Sequence, residues 1–266
     1  MTYDQLFERL WIDYSNQNPS AAKIKTLFEE KLGKVVNDHI AIRTFDDERI
    51  NIDVLSKIFK QLGYVERGKY EFLQKKLRAK HFENPAIPNA PRVFISELKL
   101  GECSEYIKNL ANDIAGQIRL ADLDSDDLIT KGVLWGKPDY EVYQKLRNES
   151  EYAAWFYVHG FRANHFTISV NSFKNVVGLE EINRLLETEG YVLNKSGGAI
   201  KGSPEKLLEQ SSTMADKVEV DFADGKHTVP ACYYEFAYRY NDNNGKLFSG
   251  FIADSADKIF ESTDFN

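Results

Sequence analysis

Polar and apolar positions along this chain alternate between a helical period and a period of two. Phe7, Leu10, Trp11 and Tyr14 recur at helical spacing; Asn18-Pro19-Ser20 breaks the stripe, and Ile24, Leu27, Phe28 and Leu32 resume it before Gly33. The pattern predicts a helix pair packed outside the main body. From Asp38 to Phe45 the period drops to two: His39, Ala41, Arg43 and Phe45 point one way, Asp38, Ile40, Ile42 and Thr44 the other. A helix over Ile52–Leu62 stops at Gly63. Extended runs follow near Tyr64–Phe72, Lys76–Glu83 and Arg92–Leu100, with Pro85, Pro88 and Pro91 marking the turn between the last two. The order is βαβββ.

Residues 101–162 change character. Glu102–Ile118 and Asp139–Glu149 have helical patterns, and Ser125-Asp126-Asp127 suits a cap. This reads as an inserted helical layer without a core of its own. The βαβββ order then returns: a strand over Ala163–Asn171, a helix over Val176–Glu189 closed by Gly190, an extended Tyr191–Asn194, a Gly/Ser-rich loop with a short helix (Ser196–Gln210), and strands near Lys217–Phe222 and Val229–Tyr240. The copies keep step: His165 follows His39 by 126 positions, and Tyr191 follows Tyr64 by 127. The expectation is an α+β fold in which two βαβββ units, 38–100 and 163–240, form one cupped, barrel-like mixed sheet with added helices. Residues 1–266 are expected to act as a single catalytic domain.

Composition narrows the function. With 266 residues the chain can bury a large core, and 42% hydrophobic with 28% charged residues is ordinary for a globular protein. A formal charge of −7 and the lack of a basic stripe argue against a nucleic-acid partner. No apolar run is long enough for a membrane span, and the first residues do not have the pattern of a signal peptide. Two distant cysteines, Cys103 and Cys232, make no disulfide framework. A cytoplasmic protein acting on a small molecule is the expectation.

The chemistry lies in three strings: Asn37-Asp38-His39-Ile40-Ala41-Ile42-Arg43, Asn164-His165-Phe166-Thr167-Ile168-Ser169 and Tyr234-Glu235-Phe236-Ala237-Tyr238-Arg239. Each reads as a strand with one metal-competent side chain. Two histidines and a carboxylate form a facial triad that leaves positions on iron for an organic acid and O₂. The polar face His165, Thr167, Ser169 and Asn171 needs partners or water, which a metal cavity supplies. His39, His165 and Glu235 are therefore candidate ligands. Arg43 shares the His39 face about 13 Å away at the usual strand rise, where it suits a distant carboxylate.

Other assignments compete. Each histidine can be a hydrogen-bonded structural residue, Glu235 an ion-pair partner of Arg239 or Arg43, and Arg43 a structural bridge. Glu97, on the last strand of the first unit, is placed where Glu235 sits in the second and is a rival fourth ligand. His81, His159 and His227 lack paired spacing and fit the surface or a supporting role. Ser196-Gly197-Gly198 is a candidate lid, not a phosphate loop. Gln210, Ser211 and Ser212 suit either substrate contact or loop polarity.

The strings resemble the 2-oxoadipate dioxygenase/decarboxylase family, related to the vicinal oxygen chelate superfamily. The closing Ser255-Ala256-Asp257-Lys258-Ile259-Phe260-Glu261-Ser262 is similar too. The resemblance implies His39, His165 and Glu235 as ligands of Fe(II) and Arg43 as the substrate-carboxylate arginine. It also implies conversion of 2-oxoadipate and O₂ to 2-hydroxyglutarate and CO₂. Two other functions stand beside it: a glyoxalase-type isomerase or lyase using Zn²⁺, Ni²⁺ or Mn²⁺, and a non-catalytic small-ligand-binding protein.

Overall fold

The outer helices form where the sequence offers caps. In the computed structural model, which describes residues 1–176, 178–253, 258–259 and 261–263, Thr2 and Gln5 close a reciprocal capping box at the start of α1 (Tyr3–Gln17). Pro19 opens α2 (Pro19–Lys31), where its missing N–H costs nothing. The first β-unit follows: β1 (Asn37–Phe45), α3 (Ile52–Leu55), α4 (Lys57–Gln61), β2 (Val65–Phe72), β3 (Leu77–Glu83) and β4 (Arg92–Leu98). The single helix expected over Ile52–Leu62 is two short ones joined at Ser56.

The insertion holds α5 (Glu105–Gln117), α6 (Leu120–Leu123), α7 (Tyr140–Glu149) and α8 (Glu151–His159). Sequence patterning missed α8. Tyr152 through His159 are all buried, so the helix has no polar face and therefore no amphipathic period. It lies over the inner side of the sheet: the Tyr152 hydroxyl donates to the Ser96 carbonyl, and the Trp155 indole donates to the Ala231 carbonyl.

The second unit comprises β5 (Ala163–Ser169), α9 (Leu179–Thr188), β6 (Lys201–Ser203), β7 (Leu208–Ser212), β8 (Lys217–Phe222), β9 (Gly225–Pro230) and β10 (Tyr233–Arg239). Three expectations need correction here. The stretch read as a loop and short helix holds a 3₁₀ turn at Pro204–Lys206 but also carries β6 and β7, which complete the main sheet. The single strand expected over Val229–Tyr240 is the end of β9 and a separate β10. Lys217–Phe222 is a strand, but it pairs only with β9 in a separate hairpin.

The main sheet has eight strands in the order β2-β3-β4-β1-β5-β10-β7-β6 and curls into a half-barrel. Each unit contributes four strands in the same order outward from the middle. β1 and β5 meet antiparallel at the centre, and each has the last strand of its own unit, β4 or β10, running parallel on its other side. The expected α+β cupped sheet is therefore present. Its outer face is apolar and covered by helices. Trp11 packs edge-on to Phe166 at 5.2 Å between centroids, and Phe28 lies 5.6 Å from Phe236. Burying rings of this size contributes roughly 2–3 kcal/mol each. One continuous buried core runs through both units and the insertion. No described helix is long and apolar enough to cross a membrane.

Candidate metal centre

The central strand pairing brings the candidate ligands together. In the antiparallel β1–β5 pair His39 lies opposite Thr167 and Ala41 opposite His165; in the parallel β5–β10 pair Glu235 lies opposite Thr167. Three neighbouring strands thus place His39, His165 and Glu235 in one band of the inner face. Their ligand-type atoms lie within 4.8 Å of one another, and all three residues are buried. His165 Nε2 is 3.2 Å from Glu235 Oε2, and His39 Nε2 is 3.5 Å from Oε1.

The residue before each histidine fixes its ring. His39 Nδ1 donates to Asp38 Oδ1 at 2.8 Å, and His165 Nδ1 donates to Asn164 Oδ1 at 3.1 Å. A neutral imidazole with Nδ1–H engaged carries its lone pair on Nε2. Both rings are held neutral. Burial lowers His165 well below the usual range, helped by the charges of His39 and Arg43. Burial also lowers His39, with Asp38 pulling the other way. Burial opposes ionisation of Asp38 as well, but the Arg239 guanidinium overcomes it and holds the carboxyl well below its ordinary value. Arg239 grips both Asp38 oxygens, at 2.7 and 2.8 Å.

This donor set fits a divalent cation. Two Nε2 atoms and a carboxylate converge in a buried site, where the Thr167 hydroxyl donates to the His39 Nε2 lone pair at 3.1 Å and would give way to a metal ion. Glu235 Oε1 accepts from the Gln210 amide at 2.5 Å, whereas buried Oε2 has no hydrogen-bond donor. Burial pushes Glu235 up to about 8, against the Gln210 hydrogen bond. A cation held between the three side chains would relieve that penalty while keeping the carboxylate charged.

Arg43 sits along β1 from His39, buried, with its guanidinium near the Tyr152 and Trp155 rings, 5.0 and 5.2 Å from their centroids. Its Nη1 meets the Glu151 carboxylate at 3.0 Å, and Thr263 Oγ1 donates to the same carboxylate. Arg43 is thus a cation next to the site, paired with a carboxylate from the insertion.

Glu97 does not occupy the place expected for it. β1–β4 pairing sets Phe94 opposite Ala41, just as Glu235 lies opposite Thr167, and Ala41 and Thr167 each follow a candidate histidine by two residues. Phe94 therefore matches Glu235. Glu97 lies three residues further on, where it accepts from the Ile52 N–H at 2.8 Å and from Arg78 Nε. His81 and His159 are buried rather than superficial: His81 bonds Tyr70 and Glu83, and His159 donates to the Pro230 carbonyl. Half-buried His227 stacks on Tyr140.

Gln210 reaches the site, whereas Ser211 bonds Asn183 and Ser212 bonds Ser262. Ser196 bonds Glu261. Within the closing string, Ser255, Ala256, Asp257 and Phe260 lie outside the described residues. Sequence reasoning missed Asp38, Asn164, Glu151 and Phe251, whose ring packs edge-on to His39 at 4.8 Å. The Asp-His and Asn-His dipeptides were a usable signal for the first two, because they occur at matching repeat positions.

The doubled βαβββ half-barrel has a fold of the vicinal oxygen chelate kind, and its buried His-His-Glu group could hold a metal ion. A protein of Ralstonia eutropha JMP134 assigned to the glyoxalase superfamily shares this fold, with a TM-score of 0.76 at 19% identity over 92% of this chain and 83% of that one. The family model described as 2-oxoadipate dioxygenase/decarboxylase matches residues 5–246, and the chain belongs to that family. A relative from Oryza sativa subsp. japonica, named 2-oxoadipate dioxygenase/decarboxylase, chloroplastic/amyloplastic, is 37% identical across 94% of this chain and 75% of its own length. The crystal structure of the hydroxyglutarate synthase from Oryza sativa in complex with 2-oxoadipate matches with a TM-score of 0.89 at 34% identity, covering 97% of this chain and 91% of that one. A protein of Shewanella frigidimarina NCIMB 400, described as a hydrolase, matches with a TM-score of 0.89 at 49% identity over 94% and 97% of the two chains.

Proposed function

We propose that this protein is an Fe(II)-dependent dioxygenase/decarboxylase that converts 2-oxoadipate and O₂ to 2-hydroxyglutarate and CO₂. The observation that carries the reading is a three-residue donor set, His39, His165 and Glu235, with Phe94 where a fourth ligand would stand, in a member of this family. Three protein ligands leave positions for a bidentate 2-oxo acid and O₂. Bound iron would supply substrate chelation and O₂ activation. The reaction balances, since 2-oxoadipate plus O₂ contains the same atoms as 2-hydroxyglutarate plus CO₂.

The chain's own residues prepare the site. Asp38 and Asn164 hold the two rings with Nε2 inward, and Gln210 holds Glu235. Phe94 and Phe251, 4.9 Å apart, form an apolar wall that excludes water. Arg43 takes the far carboxylate of the substrate by exchanging its Glu151 partner for it. The whole chain acts as one catalytic domain, in the cytoplasm.

Anaerobic loading with Fe(II), then O₂ uptake and product analysis across a panel of 2-oxo acids, tests the reading. One O₂ consumed per CO₂ released, with 2-oxoadipate preferred, is expected. Turnover without O₂, or with Zn²⁺, Ni²⁺ or Mn²⁺ alone, overturns it in favour of an isomerase or lyase.

A further inference from the structure

Lys201 is a buried cation that the proposed reaction has not yet used. It opens β6 and pairs with Gln210 of β7, which in turn pairs with Ala237 of β10. Residues directly opposite share a face, and Glu235 lies two residues from Ala237, so Lys201, Gln210 and Glu235 all point to the inner side of the sheet. Gln210 spans the gap to Glu235 directly. Lys201 is only 4% exposed, and its Nζ donates to the Asn194 carbonyl at 2.5 Å.

The other interior cations have carboxylates in contact: Arg43 has Glu151, and Arg239 and Arg92 share Asp38. Among the described residues Lys201 forms no such pair. The carboxylates whose fields reach it are those of Glu235 and Glu261. In the proposed holoenzyme the Glu235 charge is committed to the metal, and Glu261 is engaged by Lys258 at 3.0 Å and by Ser196. A buried ammonium without a contact anion is costly, so the inner face favours an incoming anion beside Glu235.

The position indicates which anion. Arg43 stands on β1 on the His165 side of the centre, and its charge is felt by His165 and Tyr233. Lys201 stands on the opposite edge strand, on the Glu235 side. A 2-oxo diacid held at the metal by its oxo end places that carboxylate at the centre and sends the other one away. We infer that Lys201 binds the carboxylate at the oxo end of the substrate, the one released as CO₂, while Arg43 binds the far one. The inference rests on the oxygenase reading above and adds a second charge contact to it.

The test uses Fe(II)-loaded protein without O₂, with iron content measured beside calorimetric binding of 2-oxoadipate and of 2-oxohexanoate, which lacks the far carboxylate. Lys201→Gln should keep its iron and weaken both acids equally, by about 10- to 100-fold. Lys201→Arg should recover most of that loss. Arg43→Ala should weaken 2-oxoadipate selectively. Unchanged binding in Lys201→Gln, a loss confined to the diacid, loss of iron, or no recovery with arginine overturns the inference. Wild-type protein that holds iron but binds neither acid would overturn the oxygenase reading itself, a result that no Lys201 variant can mimic.

Discussion

The two β-units share one order of elements and differ where they face the candidate metal centre. Each central strand gives a histidine held by the residue before it, but the holder is charged Asp38 in the first unit and neutral Asn164 in the second. Asp38 brings Arg239 and Arg92 with it; Asn164 brings no ion pair among the described residues. The neighbouring strand gives Glu235 in the second unit and Phe94 in the first. Two equal halves would supply four polar ligands. Divergence at one register position leaves three candidate ligands, with Phe94 where a fourth would stand.

The largest expected effect comes from removing a contribution of either half. His39→Ala, His165→Ala and Glu235→Ala should each lose iron and all O₂ uptake while retaining the fold by circular dichroism. Near-normal iron in any one of them removes that residue from the ligand set. Next, Arg43→Ala should retain iron but lose kcat/KM for 2-oxoadipate by about 10²-fold, because a desolvated charge-assisted pair is worth roughly 2–5 kcal/mol. Arg43→Lys should recover part of this, since a point charge does not reproduce the planar fork. Equal losses for a monoacid would make Arg43 structural.

Phe94→Glu makes the halves alike. It should retain or tighten metal binding and cut O₂ uptake about tenfold by filling a position needed by substrate, whereas Phe94→Leu stays active. Undiminished uptake in Phe94→Glu would show that this position does not face the metal.

Smaller effects concern the frame. Buried His159 is held down to about 3 by burial, against an ordinary 6.5. The unfolded chain therefore binds the proton more readily, so stability is full above pH 6.5 and lost as pH falls toward 3. His159→Gln should remove this loss, amounting to about 2 kcal/mol at pH 5 by urea titration. An unchanged acid slope would assign the sensitivity elsewhere. Glu97→Gln should retain iron and cost about 1 kcal/mol through its weakened bonds to Ile52 and Arg78. Loss of metal there would restore the four-ligand alternative.

The central strands were legible because β1 and β5 alternate cleanly and repeat at a fixed distance. The outer strands of the second unit were not. β6 has three residues, and β7 reads Leu-Glu-Gln-Ser-Ser, a loop-like composition. Its buried polar side chains bond Glu235, Asn183 and Ser262, partners distant in sequence. The β8–β9 hairpin alternates well enough to pass for sheet strands, yet it stands apart. Phe94 and Glu97 were confused because the offset between parallel strands is set by packing, not by any local pattern. Lys201 gave no signal, since a lysine in a Gly/Ser-rich stretch ordinarily faces water.

The most direct test is anomalous diffraction at the iron edge from Fe(II)-loaded crystals grown without O₂. The account predicts one iron per chain, bound by Nε2 of His39, Nε2 of His165 and a Glu235 oxygen, with Phe94 facing it and Glu97 still on Ile52 and Arg78. Iron at another place, or iron bound here by Glu97 as a fourth protein ligand, would contradict it.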